Sequence, residues 1–172
     1  MNLSFELREW QLSDSVSLAE NANNIRIWNS VRDYFPHLYS EEDGKQFIDA
    51  ALGKPKPAVD LAIAIDGKAV GGVGIVPQQD VERISAEIGY WLGEQYWNKG
   101  MMTEAVRQMV VYAFTQFPLL KIYAPVFDFN IASQRVLQKV GFELEAILKK
   151  AAIKNNLLST LHSSCPPDAV VF

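Results

Sequence analysis

The chain has little cysteine, no run of basic residues and no long apolar segment. Cys165 is the one cysteine among 172 residues, so an internal disulfide is excluded and a reducing compartment is expected. The formal net charge of −4 argues against nucleic-acid partners, because no basic run could neutralise phosphates. No apolar run could span a bilayer, and Glu6, Arg8 and Glu9 stand where a signal peptide needs an apolar segment. We therefore expect a cytoplasmic protein without nucleic-acid or membrane partners.

The amino-acid composition of the chain indicates one ordinary globular domain over residues 1–172. Hydrophobic residues make up 49% of the chain, which is enough for a sizeable core, and we find no internal repeat. Asp and Glu (20) slightly outnumber Lys and Arg (16), a mild acidity that would suit a cationic substrate such as an amine. No metal site is predicted, and both a monomer and a homodimer are left open.

Residues 84–117 are the most informative stretch. The pattern predicts a strand over 84–92, a tight connection over 98–100 and a helix over 101–117. Apolar residues of this helix recur at helical spacing, namely Met102, Ala105, Val106, Met109, Val110, Ala113 and Phe117. The free N–H groups at such a helix start, together with the helix dipole, favour an anion such as a phosphate. Most strand–glycine–helix junctions bind nothing, so an ordinary connection is the alternative.

Alternation and turn signals predict the remaining elements. Further strands are expected at 4–10, 60–65, 69–76, 121–127 and 142–147, and further helices from 13, at 25–31, at 40–52 and at 130–140. From Leu148 on, the serines and the Pro166-Pro167 pair predict a loose end. The element order predicts an α/β fold with a mixed sheet and helices on both faces. A right-handed crossover would make the fourth and fifth strands parallel neighbours.

Three segments together carry a family resemblance: AEIGYW at 86–91, YWNKGMMTEAV at 96–106 and NxxSxRVLxKxGF at 130–142. They resemble the GNAT superfamily of N-acetyltransferases, in particular its RimJ/RimL-like branch, and the resemblance extends loosely over 5–145. It implies the GNAT fold, a mostly antiparallel twisted sheet of six to seven strands with a parallel, splayed fourth and fifth strand pair. In that family the gap between the splayed strands takes the pantetheine arm of acetyl-CoA, which would be the co-substrate.

The resemblance also implies a set of coenzyme-binding residues. Backbone N–H groups of residues 98–103 would bind the diphosphate, with charge added by Lys99. Asn130 is first of all a predicted helix N-cap and would also contact the coenzyme. Trp97 and Met102 depart from the family pattern R/Q-x-x-G-x-G/A, and we expect binding to be retained with a narrower loop. The full set is Trp91, Leu92, Asn98, Lys99, Gly100, Met101, Met102, Thr103 and Asn130.

Two side chains are candidates for proton transfer. Glu87, in mid-strand beside Gly89, would act as general base on the incoming ammonium, directly or through one water. Its alternative is a solvated residue on an exposed sheet face. Many GNAT enzymes carry a tyrosine that protonates the departing thiolate, but Leu137 stands at that place here. Resemblance to the RimJ/RimL-like branch gives this role to Ser133, whose alternative is an ordinary first-turn residue.

Together these features predict an acetyl-CoA-dependent N-acetyltransferase. A primary amine, either a protein N-terminus or a small amine, would attack the thioester in a ternary complex, with backbone N–H groups near 89–91 polarising the carbonyl. The main alternative is a non-catalytic acyl-CoA-binding module, and a purely structural domain is the third. Ring-bearing residues of the N-terminal half would either form the acceptor pocket or, as we favour, simply pack: Trp10, Trp28, Tyr34, Phe35 and His37.

Overall fold

Seven strands form one mixed sheet in the order β1-β2-β3-β4-β5-β7-β6 in the computed structural model, which describes residues 4–167. The strands are β1 Glu6–Arg8, β2 Asp60–Ile65, β3 Lys68–Pro77, β4 Ser85–Leu92, β5 Lys121–Phe127, β6 Glu143–Lys154 and β7 Leu157–Cys165. The α-helices are α1 Ser15–Ala22, α2 Ile25–Trp28, α3 Glu41–Leu52, α4 Met101–Gln116 and α5 Ile131–Val140. The predicted fold class, a mixed sheet with helices on both faces, is confirmed. No helix within 4–167 is long and apolar enough to cross a membrane.

Local signals explain where the hairpin and the helices begin. Asp66 and Gly67 both have positive φ (48° and 77°) and join β2 to β3, as this dipeptide predicts for a two-residue turn. Ser40 and Asp43 form a capping box at the start of α3. The Asn130 side chain accepts a hydrogen bond from the Ser133 backbone N–H at 3.1 Å, which confirms it as the N-cap of α5.

Helix α4 is held on the sheet by its apolar stripe. Most of the predicted stripe is buried, including Ala105, Val106, Met109 and Ala113, which have no more than a trace of exposure. These side chains pack on the face of β4 that carries Ala86 and Ile88. A second, smaller core on the other sheet face joins α1 and α3 to β2 and β3. Strand β4 lies between the two cores and packs against both of them.

Strands β4 and β5 are parallel and separate after three residue pairs. The pairing runs from Ser85 with Lys121 to Glu87 with Tyr123 and then stops. Beyond that point β4 pairs with β3 alone, and β5 pairs with β7. The strands therefore form a wedge that opens toward their carboxyl ends, as the resemblance implied.

The predicted loose end after Leu148 is wrong. Strand β6 continues to Lys154 and returns as β7, which inserts between β5 and β6. Asn155 and Asn156 make the turn, both with positive φ (53° and 61°), a conformation that asparagine tolerates better than most residues. Register shifts between Leu144 and Ala146 and between Leu148 and Ala152 break the alternation, so the sequence lacks a regular strand pattern here.

Candidate active site

The wedge between β4 and β5 opens into a cleft of about 1000 Å³. Its walls are the carboxyl halves of the two strands, the starts of α4 and α5, and the segment between α2 and α3. Every site residue predicted from the sequence lines this cleft: Glu87, Trp91, Leu92, Asn98, Lys99, Gly100, Met101, Met102, Thr103, Asn130 and Ser133. Within 4–167 no cluster of three His, Cys, Asp or Glu side chains is arranged to hold a metal ion.

The start of α4 forms an open cradle of backbone amides. Gly100 is its N-cap with φ 76°, and a Cβ there would meet nothing within 4 Å. The first intrahelical bond runs from the Glu104 N–H to the Gly100 carbonyl at 3.2 Å, so the N–H groups of residues 101–103 have no helical partner. Met101 is buried in the main core and Met102 packs against it. Both methionines thus belong to the core beneath the loop.

The loop before the cradle is braced by Trp97. Its indole Nε1 donates to the Leu92 carbonyl at 2.7 Å, which ties the loop to the end of β4. Arg26 lies 5.0 Å above the Trp97 ring centroid. Lys99 donates to the Gln95 carbonyl at 2.7 Å, so its ammonium is held on the loop itself. The aromatic residue at the place of the family's Arg or Gln therefore has a structural role.

Two basic side chains on α5 line the cleft and were missed by the sequence analysis. Arg135 and Lys139 are exposed and lie one helical turn apart, an i, i+4 pair on the cleft side of α5. A phosphate-bearing ligand that reaches from the α4 cradle would pass near them. The spacing was visible in the sequence, but nothing in it indicated which face of the helix would border the cleft.

Glu87 lies at the apex of the wedge. It belongs to the last residue pair between β4 and β5, opposite Tyr123, and its side chain is 21% exposed. Burial and the Glu87 carboxylate both raise the pKa of the Tyr123 phenol, with a smaller opposing effect of Arg32. The carboxylate is ion-paired with Arg32.

Arg32 was not expected at the site. It comes from the segment between α2 and α3, 55 residues before its partner, and half of its side chain is exposed. Burial acts to lower the pKa of Arg32, but the hydrogen bond and charge of Glu87 outweigh that effect and the pKa is raised. A single arginine in an irregular segment carries no pattern that could have identified it.

Ser133 is hydrogen-bonded to Tyr90, a further residue that the sequence analysis missed. The Tyr90 hydroxyl lies 2.7 Å from the Ser133 Oγ. Burial raises the pKa of Tyr90 to about 12, although the hydrogen bond to Ser133 acts in the opposite direction. Leu137 stands on α5 where the resemblance expects a tyrosine, and Tyr90 on β4 places a phenol beside Ser133. The side chains of Tyr90 and Glu87 point to opposite faces of that strand, since strand residues alternate.

The ring-bearing residues of the N-terminal half divide between packing and lining. Trp10 is buried against Phe47 with ring centroids 5.3 Å apart, as the packing interpretation predicts. Phe35 lies 5.7 Å from Trp91 and borders the cleft on the Glu87 face of β4. Tyr34 also lines the cleft and is 82% exposed.

The tip of the β6–β7 hairpin fastens the segment that carries Arg32. Lys154 is 3% exposed, donates to Asp33 at 2.6 Å and lies 3.8 Å above the Trp28 ring centroid. Asn155 donates to the Asn29 side chain at 3.0 Å. Residues 121 positions apart in sequence thereby fix one wall of the cleft.

The amino-acid sequence is similar to a family of acetyltransferases and to several of its members. A family model described as "Acetyltransferase (GNAT) domain" matches residues 4–143. The probable N-acetyltransferase YjcK of Bacillus subtilis is 41% identical over 87 residues, 51% of this chain and 48% of YjcK, so that match spans about half of the relative. The uncharacterized N-acetyltransferase YnaD of the same species is 28% identical over 151 residues, 87% of this chain and 85% of YnaD. The L-amino acid N-acetyltransferase AaaT of Escherichia coli is 30% identical over 102 residues, 58% of this chain and 63% of AaaT.

Solved structures share the fold over nearly the whole chain. RimL, a ribosomal L7/L12 alpha-N-protein acetyltransferase in complex with coenzyme A, superimposes with a TM-score of 0.81 at 20% identity, covering 95% of this chain and 94% of RimL. Mycobacterium smegmatis RimJ, in complex with CoA-disulfide, gives 0.82 at 21% identity, covering 92% and 79%. With the family model matching residues 4–143 and the splayed β4–β5 pair in place, the chain belongs to the GNAT family of acetyltransferases.

Proposed function

We propose that this acetyltransferase moves the acetyl group of acetyl-CoA to a primary amine by direct attack in a ternary complex. The observation that carries the proposal is the wedge. Strands β4 and β5 part immediately beyond Glu87, and the resulting gap leads to the amide cradle at Gly100. A thioester lying in that gap would have the Glu87 carboxylate on one side and the Tyr90 and Ser133 hydroxyls on the other. Much of the rate would come from holding both reactants together.

Donor binding would depend mainly on backbone groups. The N–H groups of residues 101–103 and the dipole of α4 would bind the diphosphate, and Arg135 and Lys139 would add positive charge. Beyond Glu87, the β5-facing edge of β4 has no strand partner. Odd-numbered residues of β4 direct their backbone groups toward β3, so within 89–91 it is the Tyr90 N–H that would be available to polarise the thioester carbonyl.

Glu87 would take the proton from the attacking ammonium. The size of this task depends on the acceptor: an α-amine has a pKa of about 8, whereas a lysine-type amine, with a pKa of about 10.4, is only about 0.1% neutral at pH 7.4. Deprotonation then costs about 4 kcal/mol, which a positioned carboxylate would help to supply. The location of Glu87 in the last residue pair between β4 and β5 supports this role.

Ser133 and Tyr90 would stabilise the departing thiolate as a pair. A thiol has a pKa of about 8.5, so complete proton transfer from a hydroxyl such as Tyr90, with its pKa of about 12, is uphill. A hydrogen bond from Ser133 to the sulfur, with Tyr90 polarising Ser133, is the more favourable arrangement. Coenzyme A would leave as the thiol after its sulfur is protonated from solvent.

The test combines turnover with coenzyme binding. Thiol release from acetyl-CoA is measured with a panel of primary amines, and acetyl-CoA affinity is measured by calorimetry. Glu87→Gln should lower kcat/KM for the amine about 100-fold or more while acetyl-CoA affinity stays the same. Glu42→Gln on α3, outside the cleft, removes the same charge and should change neither.

Two outcomes would contradict the proposal. Equal turnover in Glu87→Gln and the unchanged protein would remove the base assignment. Binding of acetyl-CoA without thiol release for any amine would favour the non-catalytic acyl-CoA-binding module instead.

A further inference from the structure

The acceptor end of the cleft carries an adjacent positive and negative charge. Arg32 and Glu87 form an ion pair at the apex of the wedge, on the face of β4 that also carries Gly89 and Trp91. An acceptor with only an ammonium group would reach Glu87 next to the Arg32 guanidinium and be repelled by it. An acceptor that also carries a carboxylate would satisfy both members of the pair.

The geometry of this ion pair leaves room for such an exchange. The contact joins Arg32 Nη2 to Glu87 Oε1, so it is a single-point contact and not a bidentate one. The Nη1 edge of the guanidinium and the second carboxylate oxygen, Oε2, therefore remain for another ligand. Half of the Arg32 side chain is exposed, so its guanidinium is accessible from the cleft.

Other carboxylates of the acceptor end already have partners. Asp43 accepts hydrogen bonds from the Ser40 backbone N–H and hydroxyl, at 2.8 and 2.5 Å. Asp60 is paired with Lys54 at 2.5 Å. Neither side chain competes with Glu87 for the ammonium of an acceptor.

The space above Gly89 would hold the rest of the acceptor. A Cβ built on Gly89 meets nothing within 4 Å, and the residue is exposed. Trp91 and Phe35 border the far side of this space, with ring centroids 5.7 Å apart. An apolar side chain would contact these rings while its ammonium and carboxylate lay at the ion pair.

We propose that the acceptor is a free α-amino acid with an apolar side chain, bound through its carboxylate by Arg32 and through its ammonium by Glu87. The inference rests on the proposed acetyl transfer to an amine. The ammonium loses one proton to Glu87, and the neutral nitrogen attacks the thioester carbonyl. The nitrogen then loses its second proton to solvent as the carbon–sulfur bond breaks, and the departing thiolate takes up a proton from solvent. The products are an N-acetylamino acid and coenzyme A. The α-carboxylate keeps its charge on Arg32 throughout.

Three probes with the same side chain isolate the role of the carboxylate: L-leucine, L-leucinamide and 3-methylbutylamine. L-Leucine should have a kcat/KM at least about tenfold above that of L-leucinamide, because a site built for a charged group rejects the analogue that lacks it. Amidation lowers the pKa of the α-amine, so a larger fraction of leucinamide is neutral and able to attack the thioester. A higher kcat/KM for leucine would therefore be observed in spite of this advantage of leucinamide. 3-Methylbutylamine, with no carboxyl group, should be the poorest of the three.

Arg32→Gln tests the residue directly. The leucine-to-leucinamide ratio of kcat/KM should fall about tenfold, and turnover of 3-methylbutylamine should rise, because the ammonium then meets no guanidinium. Arg32→Lys should retain part of the preference, since it keeps the charge without the planar fork. Arg107→Gln, which breaks the exposed Arg107–Glu104 pair on α4, should leave the ratio unchanged.

The outcomes separate this inference from the proposed function. Thiol release with leucinamide or other amines equal to or above that with leucine would overturn the inference and leave acetyl transfer standing. A leucine preference that survives in Arg32→Gln would overturn the assignment of Arg32. Absence of thiol release with every amine, while acetyl-CoA still binds, would overturn both.

Discussion

The two halves of the cleft are built in different ways. The half proposed to bind acetyl-CoA, here called the donor half, is residues 97–103 with the start of α5, and it consists largely of backbone amides and capping interactions within short stretches of chain. The half proposed to bind the amine, here called the acceptor half, is residues 29–39 with the Glu87 face of β4 and the β6–β7 tip, and it consists of side chains that meet across 55 to 121 residues. Local sequence can specify the first kind of site, whereas the second exists only once the chain has folded.

The largest expected effect in this comparison belongs to the donor half. Gly100→Val should weaken acetyl-CoA binding about 100-fold, equal to ~2.7 kcal/mol, measured by calorimetry. A β-branched side chain at φ 76° strains the loop, and its bulk enters the open space over the amides.

Gly67→Val is the matched control for this change. Gly67 has φ 77° and also faces open space, but it lies in the β2–β3 turn outside the cleft. The control should lose a similar amount of stability, about 1–2 kcal/mol, and keep its acetyl-CoA affinity. If folded Gly100→Val bound acetyl-CoA as the unchanged protein does, the amide cradle would not be the diphosphate site.

The donor half was predictable because its signals are local. Gly100 between a strand and an apolar stripe, and Asn130 three residues before Ser133, each mark a helix start without reference to the rest of the chain. The resemblance then supplied the splay between β4 and β5, which spacing alone does not encode. Sequence pattern therefore predicted the parallel strand pair and the helix start at Gly100, and the resemblance added the splay.

The acceptor half was largely unpredictable for a physical reason. Arg32 and Lys154 lie in an irregular segment and a hairpin tip, and their partners are fixed by tertiary contacts alone. The first half of β6 was predicted, at 142–147, but its second half was missed because its bulges and largely exposed faces erase the period-two pattern. Tyr90 was visible as an alternating strand residue, but its contact with Ser133 depends on how α5 packs against β4.

An intermediate effect is expected where the two halves meet, at the Ser133–Tyr90 pair. Ser133→Ala and Tyr90→Phe should each lower kcat about tenfold, because each removes part of the hydrogen-bonded pair that we propose to act on the thiolate. The double variant should lose little more than either single one, which a double-mutant cycle of kcat measures.

Tyr112→Phe is the control for loss of a partly buried hydroxyl. The Tyr112 hydroxyl donates to the Ala58 carbonyl at 2.9 Å, away from the cleft, so its removal should lower stability and leave kcat unchanged. Additive losses from Ser133→Ala and Tyr90→Phe would show that the two hydroxyls act separately.

The smallest effect is expected at the fastening of the acceptor half. Lys154→Met keeps the buried stem but removes the ammonium that bonds Asp33 and lies over Trp28. The segment carrying Arg32 should then be less well positioned, so KM for the acceptor should rise about threefold, with kcat little changed. Steady-state kinetics with varied acceptor at saturating acetyl-CoA measures both constants.

Lys45→Met is the matched control, because it makes the same replacement in an exposed i, i+4 pair with Glu41 on α3. It should change the free energy of unfolding by less than about 0.5 kcal/mol and leave KM for the acceptor unchanged.

A fall in acetyl-CoA affinity of Lys154→Met would mean that the hairpin tip also supports the donor half. Acetyl-CoA binding in the donor half would then depend on a long-range contact of Lys154, and the donor half would no longer be built from local interactions alone. An acceptor KM that rises alone is the result that keeps the two halves separate, because the hydrogen bond and the ring contact of Lys154 both go to residues 28–33.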